Sequence, residues 1–294
     1  MERVSFYKEI KRNKRNSFFL ISIVLIVLLA LVYSIGFALG GDYLFFILIF
    51  GTIFSLIYVV AGYYKSADLA IASVGAKKAD GMEFRLYHNL VEGLSLASGL
   101  PKPKLYVMDN PQINAFASGR DPQHAVICVT TGTLEKLSKQ ELEGVLAHEM
   151  SHVANYDIRF MTMTAVLVGM VSIIAQMFLR SLFWSSMGGG NNRNKNSAIF
   201  MIIGILLAII APILVILVQL AISRKREYAA DSSAVKFMRT PTGLIGALKK
   251  IKNNSEMKVS GAVAPLFLAK PNRKKEFFQT HPSLEKRIAI LERM

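Results

Sequence analysis

Four stretches of this chain are apolar, uncharged and long enough to cross a lipid bilayer. Nothing else in the sequence restricts its folding so strongly. They are Ser17–Leu39, Tyr43–Tyr63, Phe160–Leu179 and Ser197–Ile222, and none contains Asp, Glu, Lys or Arg. A helix needs about 20 residues to span the hydrocarbon core. A chain of 294 residues that is 52% hydrophobic fits a membrane protein better than an ordinary soluble domain. The first run follows Lys11, Arg12, Lys14 and Arg15, as a signal peptide would. It is too long for such a segment, and a second run begins almost at once, so it reads as an uncleaved anchor. The third run is diluted by Thr162, Thr164, Ser172 and Gln176.

The formal charge is +15. Basic excess can signal nucleic acid, but here the cations flank the apolar runs, as at the cytoplasmic side of spans beside anionic lipid. Lys8, Lys11, Arg12, Lys14 and Arg15 precede the first run, Lys65, Lys77 and Lys78 follow the second, and Arg224, Lys225 and Arg226 follow the fourth. The loop at Gly41-Asp42 has no cation, and the Gly/Asn-rich loop Ser181–Asn196 has only Arg193 and Lys195. Both termini and the region Lys65–Arg159 are therefore expected in the cytosol. The division that follows is a basic segment with two spans (1–63), a cytosolic region (64–159), two further spans (160–222) and a second cytosolic region (223–294).

Within the first cytosolic region, Lys78–Ser98 has helical periodicity, with Phe84, Leu90, Val91 and Leu94 on one side. Pro101-Lys102-Pro103 ends it. Leu105–Met108 and Ala125–Thr130 read as short strands. Thr133–Asn155 reads as helix with a break near Ser138, where Ser138 and Glu141 have capping-box spacing. The lone cysteine, Cys128, excludes an internal disulfide, suits a reducing compartment and reads as core filler.

That last helix carries His148-Glu149-Met150-Ser151-His152. Residues four apart project from one helix face about one turn apart. Two imidazoles so placed can bind one zinc ion, and Glu149 can reach a water on it and take its proton. This is the H-E-x-x-H signature of zinc metalloproteases. The bland alternative is two surface histidines on an ordinary helix. A catalytic zinc commonly has three protein ligands and one open position. His88 falls in a polar-faced helix and His124 at a strand start. Glu227 and Asp231 are four apart in Ser223-Arg224-Lys225-Arg226-Glu227-Tyr228-Ala229-Ala230-Asp231, so one can bind metal while the other accepts a ring N–H. A solvated charged helix end is the alternative for that run.

His148–Asn155, Ser223–Asp231, Asn114-Ala115-Phe116-Ala117-Ser118-Gly119 and His281-Pro282-Ser283 together resemble the HtpX family of bacterial membrane-integral zinc endopeptidases, related to the CAAX prenyl proteases. The resemblance runs over nearly the whole chain. It implies that Glu227 is the third zinc ligand, Asp231 its support, that Asn114 and Ala115 line the substrate cleft, and that His281 stabilises the oxyanion. Pro282, with Leu284, Ile288 and Leu291 behind it, also reads simply as a helix start. Tyr156 departs from the family pattern, where glycine is expected.

The fold expected is a mainly α integral membrane protein, with four transmembrane helices and a cytosolic α+β zincin-like metalloprotease domain. Its function would be a zinc endopeptidase of the bacterial plasma membrane, with one Zn2+ per chain, active site and termini cytosolic. Its partners would be polypeptides, chiefly damaged or misfolded membrane proteins, and the bilayer, but no nucleic acid. A substrate segment would pair beside the strand Ala125–Thr130. Rival readings are a CAAX-type prenyl protease, disfavoured by only four spans, and a zinc-held scaffold, which has no need of Glu149. A transporter would place ionisable residues inside its spans, and these have none.

Overall fold

The computed structural model describes residues 6–39, 41–164, 224–253, 267–268 and 282–294. Most of the third expected span, all of the fourth, and His281 lie outside them. Two long helices come first, α1 (Phe6–Leu39) and α2 (Gly41–Tyr64), packed along each other. They contain the first two apolar runs. Large apolar side chains stand out from them: Phe45, Phe46, Phe50, Phe54 and Ile57 are 60–68% exposed. Among the described residues, no single helix is long and apolar enough to cross a membrane. Leu48–Tyr64 and the next helix, α3 (Ser66–Ser73), bent by 77° at their junction, meet that test together by length and composition.

A small mixed sheet follows. Its strands are β1 (Lys77–Lys78), β2 (Lys104–Met108), β3 (Ala115–Ser118) and β4 (Val126–Thr130), in the order β1-β2-β4-β3. β4 pairs parallel with β2 and antiparallel with β3. The two strands expected from sequence are present. The helix expected from Lys78 starts later, as α4 (Arg85–Ser98), because Lys77 and Lys78 pair with β2 instead. Gly99, in the left-handed region at φ 70°, caps its end.

The expected break at Ser138 separates α5 (Thr131–Lys136) from α6 (Lys139–Ala154). Ser138 accepts from the Glu141 amide and Glu141 accepts from the Ser138 amide, a complete capping box. Leu142, Val145, Leu146 and Met150 of α6 are buried against α4, β3 and two later helices, α7 (Arg224–Met238) and α8 (Thr242–Asn253). The α6–α8 crossing depends on glycine at both backbones. A Cβ on Gly144 would lie 2.4 Å from Leu244 N, and one on Gly243 would lie 2.1 Å from Gln140 O. The last helix, α9 (Leu284–Leu291), is capped by Ser283 and packs on α7 and α8.

Candidate metal centre

α6 runs through the middle of the core, so the histidines its period places on one face point into protein rather than water. His148 and His152 are 1% and 4% exposed, and their Nε2 atoms lie 3.2 Å apart. α7 brings Glu227 against them. Its Oε2 is 3.6 Å from His148 Nε2 and its Oε1 3.7 Å from His152 Nε2. One donor atom from each of the three lies within 4.8 Å of the others. Donors so spaced would fit one ion at bonds of about 2 Å, the range of zinc bonds to imidazole and carboxylate.

Charge also favours a cation. The buried ionisable groups include four carboxylates, Glu149, Asp157, Glu227 and Asp231, against two guanidiniums, Arg226 and Arg287. Neutral histidines leave two negative charges, which one divalent ion balances. The same excess acts on His148. Burial and Arg287 pull its pKa down, but the Asp231 and Glu227 carboxylates outweigh them and lift it to about 9. The donor set, its spacing and its charge all fit a bound dication.

Each histidine is held from behind by a carboxylate. Asp231 Oδ1 is 2.9 Å from His148 Nδ1, and Asp157 Oδ2 is 3.1 Å from His152 Nδ1. Such partners fix which ring nitrogen carries the proton and so which is free to bind metal. Glu149 is also buried, at 2% exposure, and the Ala117 backbone N–H is aimed at its carboxylate. Burial raises its pKa against the opposing pull of both histidines. A carboxylate in that state is suited to accepting and returning a proton.

Two residues at this centre are absent from the sequence reading. Asp157 follows His152 by five residues, across a turn in which Tyr156 has φ 59°. That left-handed backbone is why glycine suits the position, and it folds Asp157 back under the ring. Arg287 comes from α9, is 1% exposed, and pairs with both Asp231 and Glu227. It had a readable signal. Leu284, Ile288 and Leu291 form an apolar stripe, and Arg287 occupies the remaining position of that stripe.

The sheet corrects one expectation. Ala125–Thr130 contains β4, which has neighbours on both sides and so cannot take a substrate strand. The edge nearest the histidines is β3. Ala115 heads it, 1% exposed, and its carbonyl accepts from the Leu268 amide at 3.0 Å. Asn114 is buried just before it. Its amide donates to Thr133 Oγ1 at 2.8 Å, and its Oδ1 accepts from the Ala115 amide at 3.0 Å. Phe267 packs edge-on against Phe116 on the far face. His88 and His124 are away from the centre, near the Ala79 carbonyl and Asp121 respectively. Cys128 is core filler in β4, its thiol pushed up to about 12 by burial.

Residues 82–294 match the family described as Peptidase family M48. A Protease HtpX homolog from Caldanaerobacter subterraneus is 42% identical over 99% of both chains. The chain belongs to the HtpX proteases of peptidase family M48. Other HtpX homologs, from Thermoanaerobacter pseudethanolicus and Listeria monocytogenes, are 40% and 36% identical over 98–99% of each chain. The crystal structure of S. mikatae Ste24p aligns with TM-score 0.49 and 22% identity, covering 97% of this chain and 66% of that one, just under two thirds of its length. M48 members are metal-dependent peptidases, and this HtpX chain is a metalloprotease whose His148, His152 and Glu227 could hold the ion.

Proposed function

We propose that this chain is a membrane-embedded zinc endopeptidase, with His148, His152 and Glu227 as ligands and Glu149 as general base. The observation that carries the reading is the convergence of those three donor groups, with a carboxylate behind each imidazole and Glu149 on the adjoining edge. Zinc in such a site supplies Lewis acidity toward a carbonyl and makes nearby water acidic. Glu149 takes a proton from the attacking water and passes it to the leaving amine. Asp231 and Asp157 hold the two rings in register. A substrate segment pairs beside β3, where it takes over the Ala115 carbonyl from the Leu268 amide, with Asn114 just before the strand. His281 is assigned oxyanion stabilisation by the family resemblance.

The membrane assignment rests on the four uncharged apolar runs and on the large apolar side chains that α1 and α2 expose. The cytosolic placement of the site rests on the basic flanks. Resemblance to the HtpX family supports a role in clearing damaged membrane proteins.

The test is Glu149→Gln in the purified full chain, measuring zinc per chain and digestion of casein. Zinc should be retained and digestion lost, because glutamine keeps the shape but cannot take the proton. Wild-type digestion by Glu149→Gln would overturn the assignment.

A further inference from the structure

The N-terminal helix reaches the metal centre. Asn13, amid the basic residues of α1, is 1% exposed. Its Nδ2 donates to the Asn155 carbonyl at 2.9 Å and to Asp157 Oδ1 at 2.7 Å. The other Asp157 oxygen, Oδ2, is the one 3.1 Å from His152 Nδ1. An amide on α1, a carboxylate and a metal-facing imidazole thus form one line. Both partners of Asn13 are acceptors, so its orientation is fixed: the NH2 end must face them. Its Oδ1 is buried with no hydrogen-bond partner among the described residues. Burying an unused acceptor is unfavourable, so the two donated bonds are what the position uses.

Both bonds serve the end of α6. Asn155 is its C-cap, where helix carbonyls lack intrahelical partners. Without Asn13, Asp157 would be held by the His152 ring and a long ion pair to Arg226. Arg226 Nε is 3.9 Å from Asp157 Oδ1, beyond hydrogen-bond range. The 2.7 Å bond from Asn13 is the short contact that sets which oxygen faces His152. Lys14, next in sequence, lies 4.3 Å over the Tyr156 ring and adds a second hold on the same turn.

We propose that Asn13 is a positioning residue of the metal centre: by clamping Asp157 it sets the His152 ring for metal binding, so α1 is part of the site as well as an anchor. This rests on the reading of His152 as a ligand. The experiment uses the full-length protein in detergent and measures zinc affinity by competition with a chromophoric chelator. Asn13→Leu removes both donors at similar volume and should weaken zinc binding about tenfold, the lower end for groups that hold a ligand in place. Asp157→Asn should weaken it at least as much, and adding Asn13→Leu to Asp157→Asn should then change little. Asn13→Ser, smaller and still polar, replaces Asn13→Leu if that variant folds poorly. Zinc affinity unchanged in the folded Asn13 variant, or an equal loss in both backgrounds, would overturn the proposal and leave Asn13 a helix-docking residue. His152→Ala, run alongside, separates the two readings: wild-type zinc affinity in that variant would remove His152 as a ligand.

Discussion

Arg287 and Asp231 meet as a two-point pair inside the protein, with Nε 2.9 Å from Oδ2 and Nη2 2.6 Å from Oδ1. The same guanidinium reaches Glu227, with Nη1 3.2 Å from Oε2. Burial disfavours its charge, but Asp231 and Glu227 more than offset that and raise its pKa. α9 is thereby pinned to α7 by Arg287 at the candidate metal site.

Arg287→Met should therefore destabilise the metal-free protein by about 3–5 kcal/mol, because it leaves buried carboxylates without their countercharge. Chemical denaturation of wild type and variant measures the difference. A loss under about 1 kcal/mol would mean that the pair contributes little beyond packing.

Metal content should separate ligand from support. Glu227→Ala should lower zinc occupancy outright, and Asp231→Ala should weaken zinc affinity about 10–100-fold while leaving three ligands. Zinc per chain and chelator competition read the two effects. Unchanged metal content in Glu227→Ala would place the third ligand elsewhere.

Tyr156 holds a left-handed backbone at φ 59°, with Lys14 and Arg159 against its ring at 4.3 and 5.2 Å. A side chain in that region costs about 1–2 kcal/mol, and each cation–ring contact returns about 0.5–1. Tyr156→Gly should thus stay within about 1 kcal/mol of wild type, while Tyr156→Ala should be less stable than Tyr156→Gly by about 1 kcal/mol. Thermal unfolding of the two variants side by side isolates the backbone contribution.

Glu141 joins α6 to α8, with Lys250 Nζ 2.7 Å from its Oε2. Burial pushes its pKa up, but Lys250 and the Ser138 hydrogen bonds outweigh burial and lower it. A depressed folded-state pKa lends stability that is complete above the ordinary value of 4.5 and fades as pH falls through the lower folded value. Glu141→Gln should cost about 1 kcal/mol at neutral pH, through the weakened cap and the lost charge. That gap should close in acid. A gap independent of pH would assign the effect to shape.

Topology is open to labelling in intact cells after Cys128→Ser removes the native thiol. Asn192→Cys should react with an impermeant maleimide, and Asn254→Cys should not. External labelling at position 254 would overturn the cytosolic placement of the site.

The sequence by itself determined what is local. His148 and His152 share a face because the helix period puts them there, and the Ser138–Glu141 spacing marks where α6 begins. Both β2 and β4 were legible as apolar runs between turn residues. Ala115–Ser118 was not, because it is short and buried at every position, so no alternation marks it. Its role as the edge beside Glu149 depends on β4 having two partners. Glu227 and Asp231 were visible as a pair at helical spacing, but only packing, by laying α7 against α6, made them part of a buried cluster that could hold a metal rather than a solvated helix end. Asp157 needed a left-handed residue before it to turn back onto His152, and Asn13 had to arrive from 144 residues away. Buried polar groups bond whichever partners the packed chain delivers to them, and no periodicity in the sequence records that choice.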